Sequence, residues 1–137
     1  MKALTCLMAV LVSEAQGEQL NVRLSDGQNF ESGLVEVWRD GAWGLLCDRG
    51  RRGWTLASAH LVCQQLGFAR ALTFKHGDSG VARVQRGARV AASGISCSSG
   101  AGSLASCRVD WGAQCPEQDA VAVVCQPQSR SACGEVE

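Results

Sequence analysis

The chain has 137 residues, with 13 Lys and Arg balanced by 13 Asp and Glu, so it carries no net charge. That length suits one domain and is short for two of ordinary size. A charged fraction of 19% beside a hydrophobic fraction of 46% excludes a chain disordered as a whole, and neutrality confines any basic site to a local patch.

Met1 and Lys2 precede a ten-residue apolar run, Ala3 to Val12, followed by the small residues Ser13, Ala15 and Gly17. This is the layout of a secretory signal, predicted over residues 1–17, and the run is about half the length of a membrane-spanning helix. Its removal takes Lys2 and Glu14 together and leaves the charge balance unchanged. The chain holds eight cysteines. In an exported protein they read as a disulfide framework, whereas in the cytosol they would read as metal or redox chemistry. Cys6 departs with the signal, and Cys133 is the expected odd thiol, free or joined to another molecule.

Asn21 to Gly27 reads as a short strand entering a turn. In "LVEVWRDGAWGLLC" two apolar runs flank Asp40-Gly41, a pair suited to the positive backbone angles of a tight hairpin. With those two residues as the loop, Arg39 faces Ala42 and Trp38 faces Trp43, an aromatic pair that fixes register. From Thr55 the period becomes helical: Leu56, Ala59, Val62, Cys63 and Leu66 form an apolar stripe, with Thr55 as N-cap and Gly67 as the stop. Residues 69–94 lack periodicity and read as loop with at most a short strand. "VAVVCQ", Val121 to Gln126, reads as a central strand, and residues 127–137 as a polar, disordered tail.

The six cysteines Cys47, Cys63, Cys97, Cys107, Cys115 and Cys125 allow fifteen pairings, among which spacing does not choose. No two are separated by only two residues, which removes support for zinc-ribbon or thioredoxin-like readings. The segments "GLVEVWRDGAWGLLCD", "LVCQQLGF", "CSSGAGSLASC", "WGAQC" and "AVAVVC" together resemble the scavenger receptor cysteine-rich (SRCR) domain, over about Leu20 to Gln126. The resemblance implies an α+β fold, a curved antiparallel sheet cradling one helix, with residues 18–126 as the domain. It also implies the pairing of the six-cysteine subgroup: Cys47–Cys115, Cys63–Cys125 and Cys97–Cys107. The two further cysteines of the eight-cysteine subgroup, near Ser32 and Phe68, are not present.

Relatives of this kind often bind ligands through a calcium-assisted cluster of carboxylates, since a hard cation needs several converging oxygens. Here Asp48 remains, but Arg49, Thr55, Ser58, Ser93, Gly94 and Ala101 stand where the resemblance places acids or their neighbours. No metal or other cofactor is expected. The stretch "CDRGRRGW" instead concentrates Arg49, Arg51 and Arg52 in what looks like a lengthened loop. Between residues 39 and 89 nine basic residues meet three acids, Asp40, Asp48 and Asp78. Forked guanidinium donors suit carboxylate, sulfate and phosphate. The candidate ligand-binding residues are therefore Arg49, Arg51 and Arg52, joined by Arg83, Arg86 and Arg89. The competing account makes the cluster a solvated loop in which Asp48 pairs with Arg49.

Enzyme chemistry has little support. His60 reads as an exposed helix residue and His76 as a loop residue, neither within a nucleophile motif. Gly-Asp-Ser-Gly at 77–80 matches a serine-protease segment without the rest of such an enzyme. Trp38, Trp43, Trp54 and Trp111 read as core or turn-packing residues. The sequence thus predicts a secreted, extracellular, non-enzymatic binding module for anionic, microbial or protein ligands, without specific nucleic-acid recognition or a membrane span. The alternative is an interaction domain belonging to a larger receptor or multidomain secreted protein.

Overall fold

The structure, a computed structural model, describes residues 20–128; the signal predicted at 1–17, Cys133 and residues 129–137 lie outside the described residues. In chain order the elements are β1 (Val22–Ser25), β2 (Ser32–Arg39), β3 (Ala42–Leu46), α1 (Leu56–Gln65), β4 (Arg70–His76), β5 (Val90–Ser96), β6 (Arg108–Trp111) and β7 (Val121–Gln126). Three 3-10 turns, Arg49–Arg51, Leu104–Ser106 and Glu117–Asp119, punctuate the connections. The strands form one sheet in the order β4-β7-β2-β3-β5-β6, with β1 added to β2.

β2 is the branching strand. Leu34 pairs with both Ser25 of β1 and Ala122 of β7, while Val37 pairs with both Val22 of β1 and Gly44 of β3. A strand residue has two edges, so β1 holds one edge of β2 while β7 and β3 divide the other. A bridge between Cys47 and Ala120 links β3 and β7 just where they meet. Two strands sharing one edge must diverge, and the sheet curls. The expected antiparallel pattern holds for every strand pair except one: β3 and β5 run parallel, Leu45 opposite Val90 and Leu46 opposite Ala92. A parallel pair requires a long crossover, here residues 47–89, which carry α1 and β4.

Local chemistry explains the elements that periodicity found. Asp40 and Gly41 have φ of 53° and 82°, the left-handed values of a two-residue hairpin turn. Arg39 faces Ala42, and Trp38 meets Trp43 edge to face at 5.4 Å between ring centroids. Thr55 caps α1 by accepting from the Ser58 N–H, and the Ser58 hydroxyl accepts from Thr55 N–H in return. At the other end Gly67 has φ of 95°, and Phe68 N–H donates to the Cys63 carbonyl.

Two expectations change. The buried face of α1 is Ser58, Ala59, Leu61, Val62 and Cys63, while Leu56 is exposed. The helix packs on β4, on β7 and on the Leu104–Ser106 turn, so its covered surface is wider than one stripe and takes in Leu61. Residues 69–94, expected as loop with at most a short strand, contain β4 and most of β5. In β4 the register shifts between Ala71 and Thr73, leaving Leu72 exposed and breaking the alternation that marks a strand. β5 carries small residues, Ala91, Ala92 and Gly94, and β3 approaches it closely: a Cβ on Gly44 would lie 2.8 Å from that of Ala91.

The main core gathers Val35, Val37, Leu46, Trp54, Val62, Ile95, Leu104, Val121 and Val123, all buried; a smaller cluster centres on Leu34, Leu45 and Ala122. The three disulfides are those implied by the resemblance. Cys63–Cys125 ties α1 to β7, Cys47–Cys115 ties the end of β3 to the approach to the Glu117–Asp119 turn, and Cys97–Cys107 closes the loop over Leu104.

Candidate ligand-binding surface

The arginine loop begins at Asp48, whose side chain is only 4% exposed. Its Oδ2 lies 2.9 Å from His76 Nε2 and its Oδ1 accepts from Gly53 N–H at 2.9 Å. The expected Asp48–Arg49 pair is therefore not formed. β3 ends with the Asp48 side chain turned inward, and the last residue of β4 supplies a partner that Arg49, outside, does not reach. His76 is accordingly a strand residue packed edge to face on Phe74, not a loop residue. His60 is likewise half-buried rather than exposed, its Nδ1 accepting from Ala71 N–H at 3.0 Å and joining α1 to β4.

The three arginines of the loop divide. Arg51 Nε meets Asp119 Oδ1 at 2.8 Å, and another guanidinium nitrogen donates to the Gln118 carbonyl at 2.8 Å. Gly50 N–H also donates to Asp119, at 3.2 Å. Arg51 is thus a strut between its loop and the Glu117–Asp119 turn. Arg49 and Arg52 are exposed and form no ion pair among the described residues.

Burial pushes the Asp119 carboxyl up, but hydrogen bonds from Arg51 and Gly50 and the charges of Arg51 and His76 outweigh it and hold the group below its ordinary range. The folded state therefore binds this proton less readily than the unfolded chain. The stability it contributes is present above the ordinary carboxylate range and is lost as pH falls through the lowered value. Because Arg51 is half exposed, the pair contributes about 1 kcal/mol or less. Urea unfolding of wild type and Asp119→Asn should show that difference at pH 7 and convergence once the pH has fallen below the lowered carboxyl value; curves that stay parallel would refute the assignment.

The second basic group lies on the other side of the same turn. Glu117 accepts from Gly87 N–H at 3.1 and 3.2 Å, so the Glu117–Asp119 turn touches both the 49–52 loop and the loop before β5. Arg86 is exposed there without an ion pair, and Arg83 is exposed where its N–H meets the Asp26 carbonyl. Arg89 is anchored: its guanidinium donates at 3.1 Å to the carbonyls of Ala42 and Arg39, clasping the hairpin tip. These two acceptors are neutral, so its charge is not cancelled by a carboxylate. Arg39 lies 4.2 Å over the Trp111 ring. Arg39, Arg89, Trp111, Asp40 and Glu117 line an open groove of about 620 Å³. Neither the Arg39–Trp111 stack nor the clasp was legible in the sequence, because the partners are far apart along the chain.

The positions where the resemblance implies a calcium cluster are occupied otherwise. Thr55 and Ser58 cap α1, the Ser93 hydroxyl donates to the Asp110 carbonyl at 3.2 Å, and Gly94 sits against Asp110. Among the described residues, no three His, Cys, Asp or Glu side chains converge as metal ligands, and no helix is long and apolar enough to cross a membrane. Gly77 to Gly80 form a turn in which Asp78 Oδ1 accepts from Val84 N–H at 2.6 Å.

Comparison with known proteins agrees with this architecture. The family model for the scavenger receptor cysteine-rich domain matches residues 25–126. The egg peptide speract receptor of Strongylocentrotus purpuratus is 34% identical over 110 residues, covering 77% of this chain and 19% of that receptor. The chain thus spans about a fifth of the length of that relative. The third SRCR domain of murine neurotrypsin superposes with a TM-score of 0.62 at 28% identity, covering 80% of this chain and 99% of that domain. The SRCR domain of mouse MARCO, in its dimeric form, gives a TM-score of 0.51 at 21% identity, over 85% and 98% of the two chains, a likeness of fold.

Proposed function

The chain belongs to the scavenger receptor cysteine-rich family, whose domains are extracellular binding modules, and from that premise we propose that it is secreted and recognises anionic ligands directly through guanidinium groups, without calcium. The observation that carries this reading is the division of labour at the arginine loop. Asp48 is withdrawn onto His76 and Gly53, so it offers no outward oxygen to a cation. Arg51 braces the loop, and Arg49 and Arg52 are exposed with no carboxylate partner among the described residues. Arg86 and Arg83 extend the positive surface beyond the Glu117–Asp119 turn, and Arg89 adds a fixed charge at the groove. Exposed guanidinium groups hold sulfate, phosphate or carboxylate through paired hydrogen bonds, and a local excess of charge speeds encounter with polyanions.

Heparin and lipopolysaccharide are the probes. The double variant Arg49→Ala/Arg52→Ala is expected to bind either about tenfold more weakly than wild type, a factor equivalent to about 1.4 kcal/mol. Binding should weaken with salt and be the same in calcium and in EDTA. Equal affinities of the two proteins would remove the proposal, and heat released on titrating calcium into the wild type would remove its metal-free part.

A second reading follows from the fact that the chain spans 19% of its sea-urchin relative. In it the domain is one module of a longer protein and Cys133 joins a neighbour. A disulfide-linked adduct on a non-reducing gel, absent in Cys133→Ser, would favour that reading.

A further inference from the structure

We propose that the arginine loop is also a latched cleavage site for a dibasic-specific secretory endoprotease, cut between Arg52 and Gly53. Arg49-Gly50-Arg51-Arg52 places basic side chains at the first, second and fourth positions before that bond, and Arg51-Arg52 is the only pair of adjacent Lys or Arg residues in the chain. Subtilisin-like proteases with acid-lined subsites select this pattern, each guanidinium entering its own carboxylate-bearing pocket. All four residues and Gly53 are exposed, in a loop that carries no core side chain before Trp54. Loop tips of this kind are where nicking concentrates.

The loop as folded does not present an extended backbone. Arg51 has φ of 59°, its N–H donates to the Asp48 carbonyl at 2.7 Å, and Gly53 N–H is held by Asp48 Oδ1. Arg51 is the decisive residue, since its guanidinium can sit in the Asp119 carboxylate or in the protease's acidic pocket, but not in both. Asp119 is therefore the latch, holding both Arg51 and the Gly50 N–H. Opening it frees the Gly50 N–H and loosens the Arg51 guanidinium, while buried Trp54 keeps its seat in the core.

The chemistry is hydrolysis. Water supplies the hydroxyl that ends on the Arg52 carbonyl carbon, the Arg52–Gly53 C–N bond breaks, and the proton goes to the Gly53 nitrogen. Cys47 lies before the cut and is bonded to Cys115 after it. The product is thus a two-chain protein held by that disulfide, with the Asp48–Gly53 tether broken and the arginines on a free C-terminal end.

In the cell this event requires the secretory route of the reading above, so the test is made in vitro, where export and polyanion binding play no part. The oxidised full chain is incubated with purified furin and run on reducing and non-reducing gels, with mass spectrometry of the termini. Wild type is expected to give two pieces only after reduction, with Gly53 as the new N-terminus, and Arg52→Ala to stay intact. Asp119→Ala should be cut up to about fivefold faster than wild type, equivalent to about 1 kcal/mol of lost tether. Reduced and alkylated chain, cut at the same bond, controls for protease activity. An intact oxidised wild type beside a cleaved alkylated control overturns the proposal. So does cleavage at another arginine, such as Arg86 in Arg83-Val84-Gln85-Arg86. Equal rates for wild type and Asp119→Ala would overturn the latch.

Discussion

Replacing Cys63 and Cys125 together by alanine is expected to lower the unfolding free energy by about 4 kcal/mol, on the loop-closure account of a crosslink between distant residues. The two cysteines are 62 positions apart, and both are buried, at 0% and 1% exposure. The bond joins the only α-helix among the described residues to β7, a strand paired on both sides. Without it, the unfolded chain regains the freedom of the whole intervening segment, and the helix keeps only its packing on β4, β7 and the Leu104–Ser106 turn. Single domains have a total stability of about 5–15 kcal/mol, so this loss is expected to leave the fold marginal. The paired control is Cys97→Ala/Cys107→Ala, which opens a ten-position loop and should cost about 3 kcal/mol. Urea titrations of the two double variants measure both; a smaller loss at Cys63/Cys125 than at Cys97/Cys107 would refute the argument from loop length.

Asp48→Ala should be the most damaging single change in the arginine loop, at about 2–4 kcal/mol. The carboxylate is nearly inaccessible and holds two donors at once, the His76 ring and the Gly53 N–H. Alanine leaves the mostly buried His76 ring without its partner and unties the exposed Gly53 N–H, and an orphaned buried donor costs its desolvation. Asparagine keeps one acceptor oxygen and should cost about half as much. By contrast Arg49→Ala and Arg52→Ala, at exposed positions without ion pairs among the described residues, should each change stability by less than about 0.5 kcal/mol. Thermal and urea unfolding of the four variants check the ranking. An Asp48→Ala protein as stable as Arg49→Ala would mean that the buried contact anchors nothing.

What the sequence made legible was local, or came through the family pattern. The hairpin was readable because Asp40-Gly41 is itself the chemistry of the turn, and the helix because Thr55 and Gly67 end it by their own hydrogen bonds and backbone angles. The disulfide pairing came from the resemblance, since six cysteines by themselves leave the choice open. The two missed strands failed for different reasons: β4 because a bulge at Leu72 disrupts its alternation, and β5 because it carries alanine, serine and glycine where a strand is usually read from bulky residues. At the surface, the sequence found the basic cluster but not its internal order. Nothing near Arg51 announces Asp119, 68 positions away, and nothing near Asp48 announces His76, 28 positions away. Those contacts exist only once β3, β4 and β7 have been brought together, and they determine which guanidinium braces and which is free.

The parallel seam between β3 and β5 has a consequence for how the molecule is made. β3 cannot meet β5 until the residues between them have gathered, and β2 cannot meet β7 until nearly the whole domain is present. Assembly dominated by such remote pairings is slow, on the order of milliseconds to seconds. Oxidation therefore has a natural sequence. Cys97 and Cys107 can find each other in an otherwise shapeless chain, whereas the other two bonds need the sheet as their template. A newborn chain is thus exposed to mispairing for as long as its remote partners stay apart, and its yield of correctly joined product depends on thiol exchange that can undo the early mistakes.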